Sequence, residues 1–80
     1  MKYVYLLRSL KRSEKTYVGL TNNPDHRLLS HNAAKSLYTA KYAPWKIVVS
    51  VQFENDLNAT AFETYLKSGS GYAFAKRHFW

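Results

Sequence analysis

Tyr3-Val4-Tyr5-Leu6-Leu7 and Tyr17-Val18-Gly19-Leu20-Thr21 are two short runs of aromatic, aliphatic and β-branched residues. Such residues suit a pleated, half-buried surface. Between them, Ser9-Leu10-Lys11-Arg12-Ser13-Glu14 is polar, long enough for a hairpin loop and too short for a crossover helix. The two runs therefore pair antiparallel. Side chains alternate along a strand, so Val4, Leu6, Val18 and Leu20 turn to one apolar layer, and Tyr5 and Tyr17 stand together on the other side. A slip of one residue would reverse this grouping, so burial fixes the register. Gly19 leaves a bare stretch of backbone beside the two phenols. On these residues alone, the tyrosines are ordinary strand formers.

The rest of the chain reads as helices around this hairpin. Asn23 is an N-cap, Pro24 suits the first helical position and Asp25 suits the positive end of the dipole, which predicts a helix over Pro24–Asn32. Arg27 and His31, four apart, share a face of it. Taken singly, they read as a solvated helix charge and a surface histidine. Residues 33–44 lack a clear period and read as a loop with a short helical turn, in which Lys35, Tyr38, Lys41 and Tyr42 interleave charge and aromatic surface. Trp45–Phe53 is a third strand, with Ile47, Val49, Val51 and Phe53 expected on one face. Asn55-Asp56 opens a helix to about Ser68, with Ala59, Phe62 and Leu66 toward the core. Beside that stripe, Glu63 and Lys67 are spaced as a routine surface ion pair. Gly69 is expected in the left-handed C-cap conformation, with Ser70 capping a last helix over Tyr72–Phe79. The fold class is α+β: a small three-stranded antiparallel sheet flanked by about three helices, in one domain over residues 1–80.

Charge narrows the partner. Twelve Lys and Arg against five Asp and Glu give a net charge of +7 on 80 residues, which makes a polyanion the expected partner. Seven tyrosines among 16% aromatics add stacking surface for bases. The chain has no cysteine, so disulfides and thiolate metal sites are excluded. No apolar run is long enough to cross a bilayer, and no signal-peptide pattern follows Met1. The expected location is the cytoplasm, with no membrane partner. P-loop, dinucleotide and His/Cys zinc patterns do not occur.

Tyr3-Val4-Tyr5, an eleven-residue gap and Tyr17-Val18-Gly19 resemble the paired motifs of the GIY-YIG endonuclease superfamily. The resemblance continues in order through Arg27 and His31 on the first helix and Glu63 on a later one. Residues 65–71 look like the tail of its small stand-alone bacterial members. There are two departures. The first motif opens on Tyr3 where the family usually has Gly, and Ala75 stands in the register where many members carry a polar residue.

The resemblance implies hydrolysis of a phosphodiester by water with one divalent ion, Mg²⁺ or Mn²⁺, held by Glu63. A single carboxylate suits such an ion, which keeps several waters. Arg27 supplies fixed donors for phosphate oxygens. Tyr5 is the expected base and Tyr17 the group holding the water or phosphate. Arg27 or the metal-bound assembly is expected to favour the phenolate, with His31 as a second base, a phosphate contact or the end of a proton relay, and which tyrosine does which task is left open. Gly19 would let a backbone N–H approach the substrate. Lys35, Lys41, Lys67, Lys76 and Arg77 are the expected nucleic-acid contacts. Nothing resembles a base-reading helix, so a structure-selective endonuclease acting on DNA in preference to RNA is implied, in a family with roles in DNA repair. Two other classes fit the charge: a non-catalytic DNA- or RNA-binding module, and a scaffold that recruits an acidic protein. Oligomeric state is left open.

Overall fold

In the computed structural model, which describes residues 1–33 and 37–80, the two aromatic runs form β1 (Lys2–Ser9) and β2 (Thr16–Thr21), and the third strand is β3 (Trp45–Phe53). β1 is central, antiparallel to both neighbours, in the order β2-β1-β3. Its register with β2 puts Tyr5 opposite Gly19, Leu6 opposite Val18 and Leu7 opposite Tyr17. This is the pairing that alternation of apolar and aromatic positions requires.

Four helices flank the sheet: α1 (Pro24–Asn32), α2 (Leu37–Lys41), α3 (Asp56–Leu66) and α4 (Gly69–His78). The short turn expected within residues 33–44 is α2. Val4 and Leu6, fully buried, pack with Ala59, Leu66 and Ala75 of α3 and α4, joined by Val18, Leu20, Val49, Phe53, Phe62, Phe74 and Phe79. Full burial of side chains like these contributes about 1.5–3 kcal/mol each. Tyr5, Leu7 and Trp45 form a second cluster on the opposite face, with Tyr17, Leu28 of α1, Tyr42 and Ile47. The sheet thus separates an aliphatic and phenylalanine core from a tyrosine-rich one.

Two expectations are corrected. Ile47 does not share a face with Val49, Val51 and Phe53. The β1–β3 register shifts between Leu6, opposite Val49, and Leu7, opposite Ile47, leaving Val48 as an extra residue. Such a bulge reverses the alternation, so Ile47 joins the tyrosine side. Nor is Gly69 a left-handed cap, since among the described residues no glycine has positive φ. α3 ends at Leu66 on a right-handed Lys67, and Ser68 caps α4 by accepting from the Gly71 N–H at 3.2 Å. The close approach belongs to Gly71, where a Cβ would overlap the Tyr65 carbonyl. Gly71 lets the first turn of α4 pack onto the last turn of α3. Among the described residues, no helix is long and apolar enough to cross a membrane.

Candidate active site

The site is assembled by α1, which is fixed at both ends. Asn23 Oδ1 accepts from the His26 N–H at 3.1 Å, and Pro24 occupies the first turn. At the other end Asn32 grips the start of β3: its Oδ1 accepts from the Trp45 N–H at 2.6 Å, and its Nδ2 donates to the Trp45 carbonyl at 3.2 Å. Leu28 packs into the tyrosine cluster, which turns Arg27 and His31, one helical turn apart, toward the sheet.

His31 is therefore not a surface histidine. It is 1% exposed, as is Tyr5, and the Tyr5 hydroxyl and His31 Nε2 share a hydrogen bond of 2.8 Å. The Tyr17 ring lies edge-on to His31, with centroids 4.8 Å apart, and 6.1 Å from the Tyr5 ring. The Arg27 guanidinium interacts with both phenol hydroxyls, that of Tyr5 more strongly. Four of the residues singled out in sequence, Tyr5, Tyr17, Arg27 and His31, thus form one cluster. A cleft of about 620 Å³ opens on this face between the start of α1 and the sheet, lined in part by Tyr3 and by Ser50, the β3 residue opposite Tyr5.

Arg27 acts on Tyr5 in the expected direction, but it is not the largest influence. Its charge does pull the Tyr5 pKa down, but burial outweighs it and, with Tyr17 alongside, pushes the phenol up to about 12. Tyr5 is a neutral phenol at pH 7. Burial, reinforced by the Arg27 charge, lowers the His31 pKa below its usual 6.5, so this imidazole is neutral as well.

Gly19 has a further use. The Tyr5 ring lies across it, and a Cβ there would overlap the Tyr5 hydroxyl and ring carbons. The space where a side chain would stand is filled by the tyrosine, so Gly19 makes room for Tyr5. Gly19→Ala is expected to displace the ring, break the bond to His31 and cost roughly 1–3 kcal/mol by overpacking. Urea unfolding measures this, and wild-type stability would contradict it.

Glu63 belongs to another layer. With Ala59 and Leu66 it falls at i, i+4 and i+7 on the sheet-facing stripe of α3. Its side chain is 18% exposed, and Oε2 pairs with Lys67 Nζ at 2.5 Å. α3 packs on the aliphatic face of the sheet, away from the Tyr5–His31 cluster, and also runs against β2, the strand that carries Tyr17 and Gly19. Among the described residues, no group of three or more His, Cys, Asp or Glu gathers as a metal site. A lone, partly sheltered carboxylate still fits a hydrated hard cation, which takes one or two carboxylates and completes its shell with water and phosphate oxygens. Ala75 is 2% exposed in the core and offers no polar group.

The basic residues divide between the layers. Lys41 lies at the end of α2 on the tyrosine side, with Nζ 5.6 Å from the Tyr42 ring. Lys76 and Arg77 are exposed on α4 behind the sheet, and Lys67 is held by Glu63. Lys35 lies outside the described residues. Tyr38, noted in sequence only within that mixed basic and aromatic stretch, and Trp45, read there only as the start of a strand, extend the cluster outward, Tyr38 lying 6.2 Å from Tyr17 and 6.1 Å from Trp45. The interleaving of Tyr38 and Tyr42 with lysines was the available signal.

Comparison with known proteins identifies the family. The family model described as the GIY-YIG catalytic domain matches residues 1–74, and the chain belongs to the GIY-YIG endonuclease superfamily. Its relatives include a UPF0213 protein of Clostridium perfringens, 38% identical over 68 residues that cover 84% of this chain and 71% of that protein. A UPF0213 protein of Oceanobacillus iheyensis is 36% identical over 66 residues, 81% of this chain and 74% of that protein. The chain is also 40% identical over 65 residues to the structure-specific endonuclease subunit slx1 of Aspergillus fumigatus, covering 74% of this chain but 15% of slx1.

Proposed function

We propose that this protein is a divalent-metal-dependent endonuclease that hydrolyses phosphodiester bonds in DNA and selects its substrate by structure. The observation that carries the reading is the buried Tyr5–His31 hydrogen bond, with the Arg27 charge acting on both phenols, in a chain of this family. The name of slx1 supports structure selection.

Arg27 holds the phosphate, because its charge is permanent and its donors are fixed. Tyr5 acts as a relay. With His31 neutral and Nε2 unprotonated, the Tyr5 hydroxyl donates to it. As the attacking water loses its proton to the Tyr5 oxygen, Tyr5 passes its own proton to Nε2, so no free phenolate with a pKa of about 12 has to form. Tyr17 orients the water or the phosphate. Glu63, on the other face of the sheet from this cluster but on a helix that also runs against the edge strand β2, would hold Mg²⁺ or Mn²⁺, which would supply charge relief for the phosphate and the leaving oxygen of a substrate that reaches round that edge.

The test is a panel of linear, nicked, flapped and branched DNA, with RNA counterparts, incubated with Mg²⁺, Mn²⁺ or a chelator. Cleavage of flapped or branched DNA with either metal, and none with chelator, is expected. Binding without cleavage of any substrate would establish the non-catalytic module instead. No binding even at low salt, where phosphate contacts are strongest, would leave the acidic-protein scaffold.

A further inference from the structure

We propose that Tyr38 is a stacking platform for an unpaired base beside the phosphate that is cut, which makes the preferred substrate a DNA with single-stranded nucleotides at the break, such as a flap. The position of the break rests on the nuclease reading above; the stacking does not.

Tyr5 is buried, whereas Tyr38 is 44% exposed. Its ring is nevertheless held. The Tyr38 hydroxyl donates to the Thr16 carbonyl at 3.1 Å, and the ring packs against Tyr17 at 6.2 Å, Tyr42 at 5.4 Å and Trp45 at 6.1 Å. A ring fixed in this way and still open to solvent loses little freedom when a flat ligand settles on it. The surroundings favour an anionic ligand. Lys15 Nζ lies 5.2 Å and Lys41 Nζ 5.6 Å from the Tyr42 ring, and Arg27 interacts with the Tyr17 hydroxyl further in. A half-exposed ring beside Tyr42 and its two lysines, and packed on Tyr17 of the proposed site, fits a nucleotide whose base stacks while its phosphates meet the lysines. Bases within a duplex have both faces covered by their neighbours, so only an unpaired base can use Tyr38 in this way.

Binding without divalent ion tests this independently of cleavage. Fluorescence anisotropy compares a flap with the same flap carrying a stable abasic analogue at the junction nucleotide, for wild type, Tyr38→Phe and Tyr38→Leu, with melting curves for each. Wild type and Tyr38→Phe are expected to prefer the natural flap by roughly tenfold, the order of one base–aromatic stack. Tyr38→Leu is expected to bind both alike. Equal binding of the two flaps by wild type overturns the proposal, and that comparison needs no variant to fold. A preference retained in Tyr38→Leu, or lost in Tyr38→Phe, overturns it too, the latter because it would assign the effect to the bond with Thr16. A protein that shows the preference and never cuts would keep the platform and lose the nuclease.

Discussion

Glu63→Ala is expected to leave DNA binding in place and to lower cleavage by at least about a thousandfold, the scale on which a metal centre stabilises transition-state charge. Glu63 is the one acidic residue after Asp56, and it lies on the stripe of α3 that faces the sheet. A carboxylate there is neutralised by Lys67, and a cation bound with substrate would compete for the same oxygens. Alanine fits a stripe that already contains Ala59 and Leu66, so the fold should survive, and Lys67 is freed to meet phosphate. Cleavage of a flapped substrate with saturating Mg²⁺, read beside binding in chelator, separates the two effects. Undiminished cutting by Glu63→Ala would remove this residue from the mechanism and the metal site with it.

Tyr5→Phe is expected to slow cleavage by about 10²–10⁴-fold, the usual contribution of a positioned proton-transfer group. It also strips His31 Nε2 of its partner inside the protein, which costs roughly 1–3 kcal/mol. Urea unfolding reads the second effect and single-turnover kinetics the first. A variant that is less stable yet cuts at the wild-type rate would leave Tyr5 with a structural role only. The ultraviolet phenolate titration gives a further check: wild type should show a tyrosine ionising near pH 12 that the variant lacks. Because the folded pKa of Tyr5 is raised, its contribution to stability is complete below pH 10 and is lost as pH rises from there through about 12. His31 works in the opposite direction. Its folded pKa is lowered, so its contribution is present above 6.5 and is lost as pH falls through the lowered value. Cleavage should decline in the same acidic window, because protonated Nε2 can no longer receive the Tyr5 proton.

Much of the fold is legible in the sequence because local rules and burial agree. Tyr5 and Tyr17 face the same way since Val4, Leu6, Val18 and Leu20 need the other side, and Asn23 and Asn55 mark where α1 and α3 begin. What could not be read depends on contacts between distant segments. Gly19 and Gly71 suggest backbone freedom to a reader of single positions, but both are used for proximity, one beneath a phenol and one against a carbonyl. His31 looks like a surface residue until Asn32 is seen binding the start of β3. Tyr38 sits in a stretch without period, and its neighbours Tyr17 and Trp45 come from two different strands.

The unpaired Val48 carries a consequence for how sequences of this kind can vary. It lets one continuous strand contribute walls to two chambers, with Trp45 and Ile47 enclosing the phenols and Val49 and Phe53 backing the helices. If the strand kept that residue but ran without the bulge, regular alternation would put Ile47 back with Val49 and turn the indole and its tether to the Thr39 carbonyl away from α2. Deleting Val48 itself would leave Ile47 and Val49 adjacent and still on opposite faces, so β3 should accept the loss of that one residue more readily than the loss of a residue paired with β1.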